Sequence, residues 1–127
     1  MEETHIMENV IYNELRYRGF NVDLGQVDVN ERTDRIDVNG HPIYAKKPLE
    51  VDFVATLGSR RFYIQSALIL TDEKKAESEK RSLKCIEDSF TKVVVTRNGI
   101  HPYRDEDGIA VIDLFDFLME EDSLEKV

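Results

Sequence analysis

Three polar residues sit in apolar surroundings, and their types are those that handle cations and phosphates. Glu8 lies at the edge of an apolar stripe formed by Met7, Val10, Ile11 and Leu15, beside Leu15 around a helical wheel. Asp52 is enclosed by Val51 and Phe53, and Gln65 falls in the middle of the apolar run from Arg61 to Leu70. A buried charge or amide is costly unless it is paired, hydrogen-bonded or bound to a metal. Carboxylates converging from two elements would hold Mg²⁺, a hard cation that takes oxygen ligands at about 2.0–2.1 Å. The ion would polarise a phosphate and acidify a water.

Each residue also has a plainer reading. Glu8 could be a solvated flank of its helix. Asp52 could pair with Arg60 or Arg61, and Gln65 could hydrogen-bond a neighbouring backbone group. Glu14 falls within the same apolar face and could bridge to Arg18 one turn on.

The elements that must position these residues follow from hydrophobic periodicity. Ile6 to Arg18 reads as a helix with Gly19 as its stop. Phe20 to Val29 turns to alternation and reads as a strand, bent at Gly25. Residues 30–48 are polar and read as an excursion between core strands, with short arms at Val38 and Ile43-Tyr44 around an Asn39-Gly40 turn. Leu49 to Thr56 is the next strand, with Val51, Phe53 and Ala55 on one face and Glu50, Asp52 and Val54 on the other. Gly58-Ser59 turns the chain into Arg61 to Leu70, a central strand covered on both sides.

Thr71 or Asp72 can cap a helix to about Glu87, whose sparse apolar positions are Ala76, Leu83, Cys85 and Ile86. Lys92 to Arg97 and Ile109 to Ile112 read as short buried strands. Asp113 caps a last helix from Leu114 to Glu121, with Leu114, Phe115, Phe117 and Leu118 facing in. The order is α-β-β-β-α-β-β-α, and the acidic tail, residues 119–127, reads as dispensable.

Bulk properties narrow the function classes. At 127 residues and 41% apolar, the chain suits one domain with a real core. No apolar run approaches the roughly 18 residues of a membrane helix, and the acidic start MEETHIMENV is unlike a signal peptide, so a cytoplasmic location with no membrane contact is expected. Cys85 is alone, and His5, His41 and His101 are scattered, which argues against zinc. The net charge of −9 opposes non-specific nucleic-acid binding, so any contact with DNA would need a local basic patch.

The combined pattern resembles the PD-(D/E)XK nuclease superfamily, with spacing similar to its Holliday-junction resolvase-type members. The resemblance rests on Glu8 in the first helix, Glu50-Val51-Asp52-Phe53-Val54 in one strand, and Tyr63-Ile64-Gln65-Ser66-Ala67 in the next. It implies an α/β, restriction-endonuclease-like fold with an α-β-β-β-α-β core and a mixed central sheet flanked by helices. It also implies Glu8, Asp52 and Gln65 as catalytic and Mg²⁺-binding positions. The family's lysine position is Ala67, which cannot orient a water or offset phosphate charge. Losing such an electrostatic stabiliser costs on the order of 10²- to 10³-fold in rate. In some branches the following helix supplies the basic residue, and Lys74, Lys75, Lys80, Arg81 and Lys84 lie there. Glu73, Glu77, Glu79 and Glu87 are interleaved with them, as on an ordinary solvated face.

A narrower resemblance is to the C-terminal nuclease-like domain of predicted prokaryotic AAA-type (P-loop) ATPases. It is carried by residues 7–15 (MENVIYNEL), 49–54 (LEVDFV) and 63–66 (YIQS), and covers nearly the whole chain from Ile6 to the last helix. Many members of that group have lost the lysine. The resemblance implies a single domain, residues 1–127, cut from a larger ATPase, with that ATPase module as a partner. A stand-alone protein is the alternative, since Met1 could be native. The chain has no G-x-x-x-x-G-K-[ST], so it would bind no nucleotide by that route. The expected function is a degenerate accessory domain that contacts protein or nucleic acid without cleaving it. The alternatives are a weakly active Mg²⁺-dependent DNA endonuclease and a homo-oligomerisation domain paired through an exposed strand.

Overall fold

The first helix, α1, spans Glu3–Tyr17 and buries Met7, Ile11 and Leu15, the four-residue spacing that stacks side chains on one face. Its end is a Schellman turn: Gly19 N–H donates to the Arg16 carbonyl and Phe20 N–H to the Leu15 carbonyl, both at 3.0 Å. Gly19 sits at φ 94°, a conformation that strains any residue with a side chain. The computed structural model describes residues 3–68, 80–86, 88–97, 99 and 101–127.

Six strands follow: β1 Asn21–Ile36, β2 Pro42–Leu57, β3 Arg60–Ala67, β4 Thr91–Thr96, β5 Tyr103–Arg104 and β6 Ala110–Asp113. A short helix, α2, spans Leu114–Met119. The strands form one mixed sheet in the order β1-β2-β3-β4-β6-β5. The first three pair antiparallel, β3 with β4 and β4 with β6 pair parallel, and β5 with β6 antiparallel. The expected α/β class with a mixed, helix-flanked sheet is therefore present.

The sheet separates two cores. One face packs Phe53, Ala55, Phe62, Ile64, Val93, Val95, Ala110 and Ile112 against α1 and α2. The other joins Val51, Val54, Tyr63, Ala67, Val94 and Val111 to Leu83 and Ile86. Residues 80–84 are helical. The expected helix cap at Thr71 or Asp72, the end of the Arg61–Leu70 strand, Ala76 and Glu87 lie outside the described residues, as do Lys74 and Lys75.

Several expectations need correction. Residues 30–48 are not a separate excursion: β1 and β2 run through them as one long hairpin closed at Asn39-Gly40, with Gly40 at φ 81°. Pro48 is tolerated because β3 pairs with β2 only from Phe53 to Leu57, so at Pro48 the hairpin is a two-stranded ribbon with open edges. Phe115, expected inside, is 62% exposed, whereas Leu114 and Phe117 are buried, because a helix this short turns only one side inward. Cys85 is exposed, one residue past the helical segment.

The acidic tail is packed rather than loose. Leu124 is 1% exposed within the α1-side core, and Ser123 is buried. Arg18 explains this. Its guanidinium donates to Ser123 Oγ at 3.0 Å, to the Glu120 carbonyl at 2.8 Å and to the Phe117 carbonyl. It also stacks 4.5 Å from the Phe117 ring centre and lies 3.8 Å from Glu14, the expected one-turn bridge. One buried cation thus satisfies the end of α2 and ties the terminus to α1.

Candidate functional site

Asp52 occupies a β-bulge. Leu24 pairs with Phe53 and Gly25 with Val51, so Asp52 has no opposite residue on β1. A bulge adds one residue and shifts the alternation of side chains. Val51 consequently joins the second core while Phe53 and Ala55 stay on the α1 side. The expectation that Val51, Phe53 and Ala55 share a face, with Asp52 opposite, is overturned by this one insertion. Gly25 permits it: a Cβ built on Gly25 would stand 1.9 Å from the Val51 carbonyl oxygen.

The bulge coincides with the end of the β2–β3 ladder, which stops at Phe53 and Ile64. Side chains take over from there. Asp52 Oδ2 accepts from the Ser66 N–H and from the Ser66 hydroxyl, each at 2.8 Å. In return, the Asp52 N–H donates to Gln65 Oε1 at 3.0 Å. Two strands that splay apart thereby keep their backbone donors satisfied. Gln65 takes the plainer role foreseen for it, while Asp52 pairs with Ser66 rather than with an arginine. Arg60 pairs with Glu125, and Arg61 lies 5.3 Å over the Phe90 ring.

Glu8 meets Asp52 in a cleft of ≈ 530 Å³ between α1 and the bulge, lined also by Asn9, Tyr12, Val22, Leu24 and Phe53. Burial pushes the Glu8 carboxyl above its ordinary value, the Asp52 charge pushes it further the same way, and His5 opposes both. Both carboxylates thus line one cleft, and the Asp52 charge acts on Glu8.

The other half of the expected constellation faces elsewhere. Gln65 shares its strand face with Tyr63 and Ala67, both in the second core, and Ala67 is 5% exposed there. Lys80 does not reach the acid pair: it binds Asp105 at 2.9 Å, and Lys84 binds Asp107 at 3.2 Å. Burial alone would raise the Asp105 carboxyl, but bonds from Lys80 and from the Ile109 and Asp107 amides outweigh it and hold the group below its ordinary value.

The donor set suits Mg²⁺ only in part. One or two carboxylates with several waters suffice for this ion, so Glu8 and Asp52 Oδ1 fit it. Asp52 Oδ1 accepts no hydrogen bond among the described residues. The Gln65 carbonyl is already engaged, and no group of three or more His, Cys, Asp or Glu side chains converges among the described residues. Ser66 is the site residue whose role the sequence concealed, since nothing marked it as an Asp52 partner; the bend expected at Gly25 is the bulge found there.

No known protein-family model matches the chain. An uncharacterized protein of Haemophilus influenzae is 26% identical to it over 114 residues, covering 90% of this chain and 23% of that protein. The chain thus spans less than a quarter of the relative's length. No helix among the described residues is long and apolar enough to cross a membrane.

Proposed function

We propose that this chain is a restriction-endonuclease-like accessory domain of a longer P-loop ATPase, and that it binds a partner without cleaving nucleic acid. The observation that carries the reading is the position of Ala67. It lies inside the second apolar core, while Glu8 and Asp52 lie on the α1 side. Ala67 therefore supplies no cation to the acid pair to orient a water or to offset charge on a phosphate. The order α1, then β1, β2 and β3 antiparallel, then β4 parallel to β3, supports the α-β-β-β-α-β core. The share of the H. influenzae protein that is matched supports a place within a larger polypeptide. The net charge of −9 favours a protein partner over DNA.

Incubating the chain with plasmid DNA in Mg²⁺ or Mn²⁺ tests this. The expected result is no nicking beyond a metal-only control. Nicking that disappears in Asp52→Ala would overturn the proposal.

A second reading is a weakly active Mg²⁺-dependent endonuclease using Glu8, Asp52 and Gln65. The raised Glu8 carboxyl beside Asp52 favours it, since such a pair gains most from a divalent cation. The same assay separates the two.

A further inference from the structure

β1 is an end strand of the sheet, with β2 on one side and, among the described residues, no strand on the other. Beyond the reach of β3, residues 28–48 form a two-stranded arm whose described side chains are exposed or half-buried. Ile36, Val38, Ile43 and Tyr44 are exposed apolar residues on it. An edge of this length is a template for strand addition, which proteins ordinarily block with charges or local irregularity. Both devices are present, but the charges have a particular order. Glu31-Arg32-Thr33-Asp34-Arg35 reverses in sign about Thr33.

That order has a consequence for identical strands laid antiparallel about a two-fold axis at Thr33. Glu31 faces Arg35 of the second copy, Arg32 faces its Asp34, and symmetry repeats both pairs. Shifting the axis one residue to Asp34 places Arg35 against Thr33 and Arg32 against Ile36, and the oppositions are lost. The inner ladder is irregular at this point. Between Arg32↔Tyr44 and Ile36↔Pro42 the ladder to β2 gives Thr33, Asp34 and Arg35 no partners. Within this stretch Thr33 Oγ1 bonds the Ile43 carbonyl at 2.7 Å and accepts the Arg35 N–H at 3.2 Å. Glu31 has one exposed ion pair, with Lys47 at 3.4 Å.

We propose that the β1 edge is a self-association surface, on which two copies of the chain pair antiparallel about Thr33. Opposed charges select the register and exclude edges of other sequence. The contact is weak and salt-sensitive, because exposed charges are screened over about 8 Å at physiological ionic strength. It does not depend on the acid cleft.

Sedimentation equilibrium of the full chain over a concentration series, in low and in high salt, tests it. A monomer–dimer equilibrium that weakens with salt is expected. Arg35→Glu and Glu31→Arg should each weaken the dimer tenfold or more, since each sets like charges face to face. The double variant should restore it, and an equimolar mixture of the two single variants should form a heterodimer. Circular dichroism verifies that each variant is folded. A wild-type monomer at every concentration, or an Arg35→Glu dimer as tight as wild type, would overturn the proposal.

Discussion

Asp52 and Ser66 are joined twice, through the backbone N–H and the hydroxyl of Ser66, both donated to one carboxylate oxygen at 2.8 Å. The pair locks the carboxylate at the point where β2 and β3 separate, and Asp52 lines the cleft with Glu8. Ser66→Ala removes the hydroxyl bond and keeps the backbone one, so it should loosen the Asp52 side chain rather than unfold the chain. The expected cost is about 1 kcal/mol, the size of one hydrogen bond, measured by urea denaturation.

Gly25 sets the bulge that brings Asp52 to this side. Gly25→Ala would force a Cβ against the Val51 carbonyl, a backbone atom with little room to move. We expect a loss of roughly 3 kcal/mol, at the upper end of overpacking costs. Amide shifts should spread along residues 22–27 and 49–54. A variant as stable as wild type would show that the bulge does not need glycine.

Placing a lysine at the family position should not restore cleavage. Ala67 points into the second core beside Tyr63 and Val94, so Ala67→Lys buries an amine away from Glu8 and Asp52. The expected outcome is a chain destabilised by about 2 kcal/mol or more with no gain in DNA nicking.

Lys80 and Asp105 form a largely buried pair that anchors the helical segment to the β5–β6 turn. Lys80→Met leaves Asp105 uncompensated and should cost about 3 kcal/mol. The pH dependence has a definite sign. Asp105 is held below its ordinary value when folded. Its contribution is present above the unfolded value and is lost as pH falls through the folded one. The stability gap between Lys80→Met and wild type should narrow in acid.

Much of the fold was legible because α1, β3, β4 and β6 carry strong local patterns: a four-residue stripe, apolar runs and glycine stops. Glu8 and Asp52 were also legible, as charges in apolar company. Two features were not. The parity change at Asp52 depends on which residue of β1 lies opposite, and hydrophobic alternation alone had placed Val51 on the wrong face. The hairpin turn at Asn39-Gly40 was legible, but the length of its arms was hidden because their polar residues read as a loop. A two-stranded ribbon buries little and so needs no apolar pattern. The packed tail escaped notice for a related reason: Leu124 sits among acidic residues, and its burial depends on Arg18, more than a hundred residues earlier.

The convergence of Glu8 and Asp52 is the central claim, and NMR titration of the Glu8 side-chain carboxyl tests it most directly. In the wild-type chain the group should titrate above its ordinary value of 4.5. In Asp52→Asn it should titrate lower than in wild type, while remaining raised by burial. A Glu8 that titrates at its ordinary value, or whose titration is unchanged in Asp52→Asn, would contradict the account.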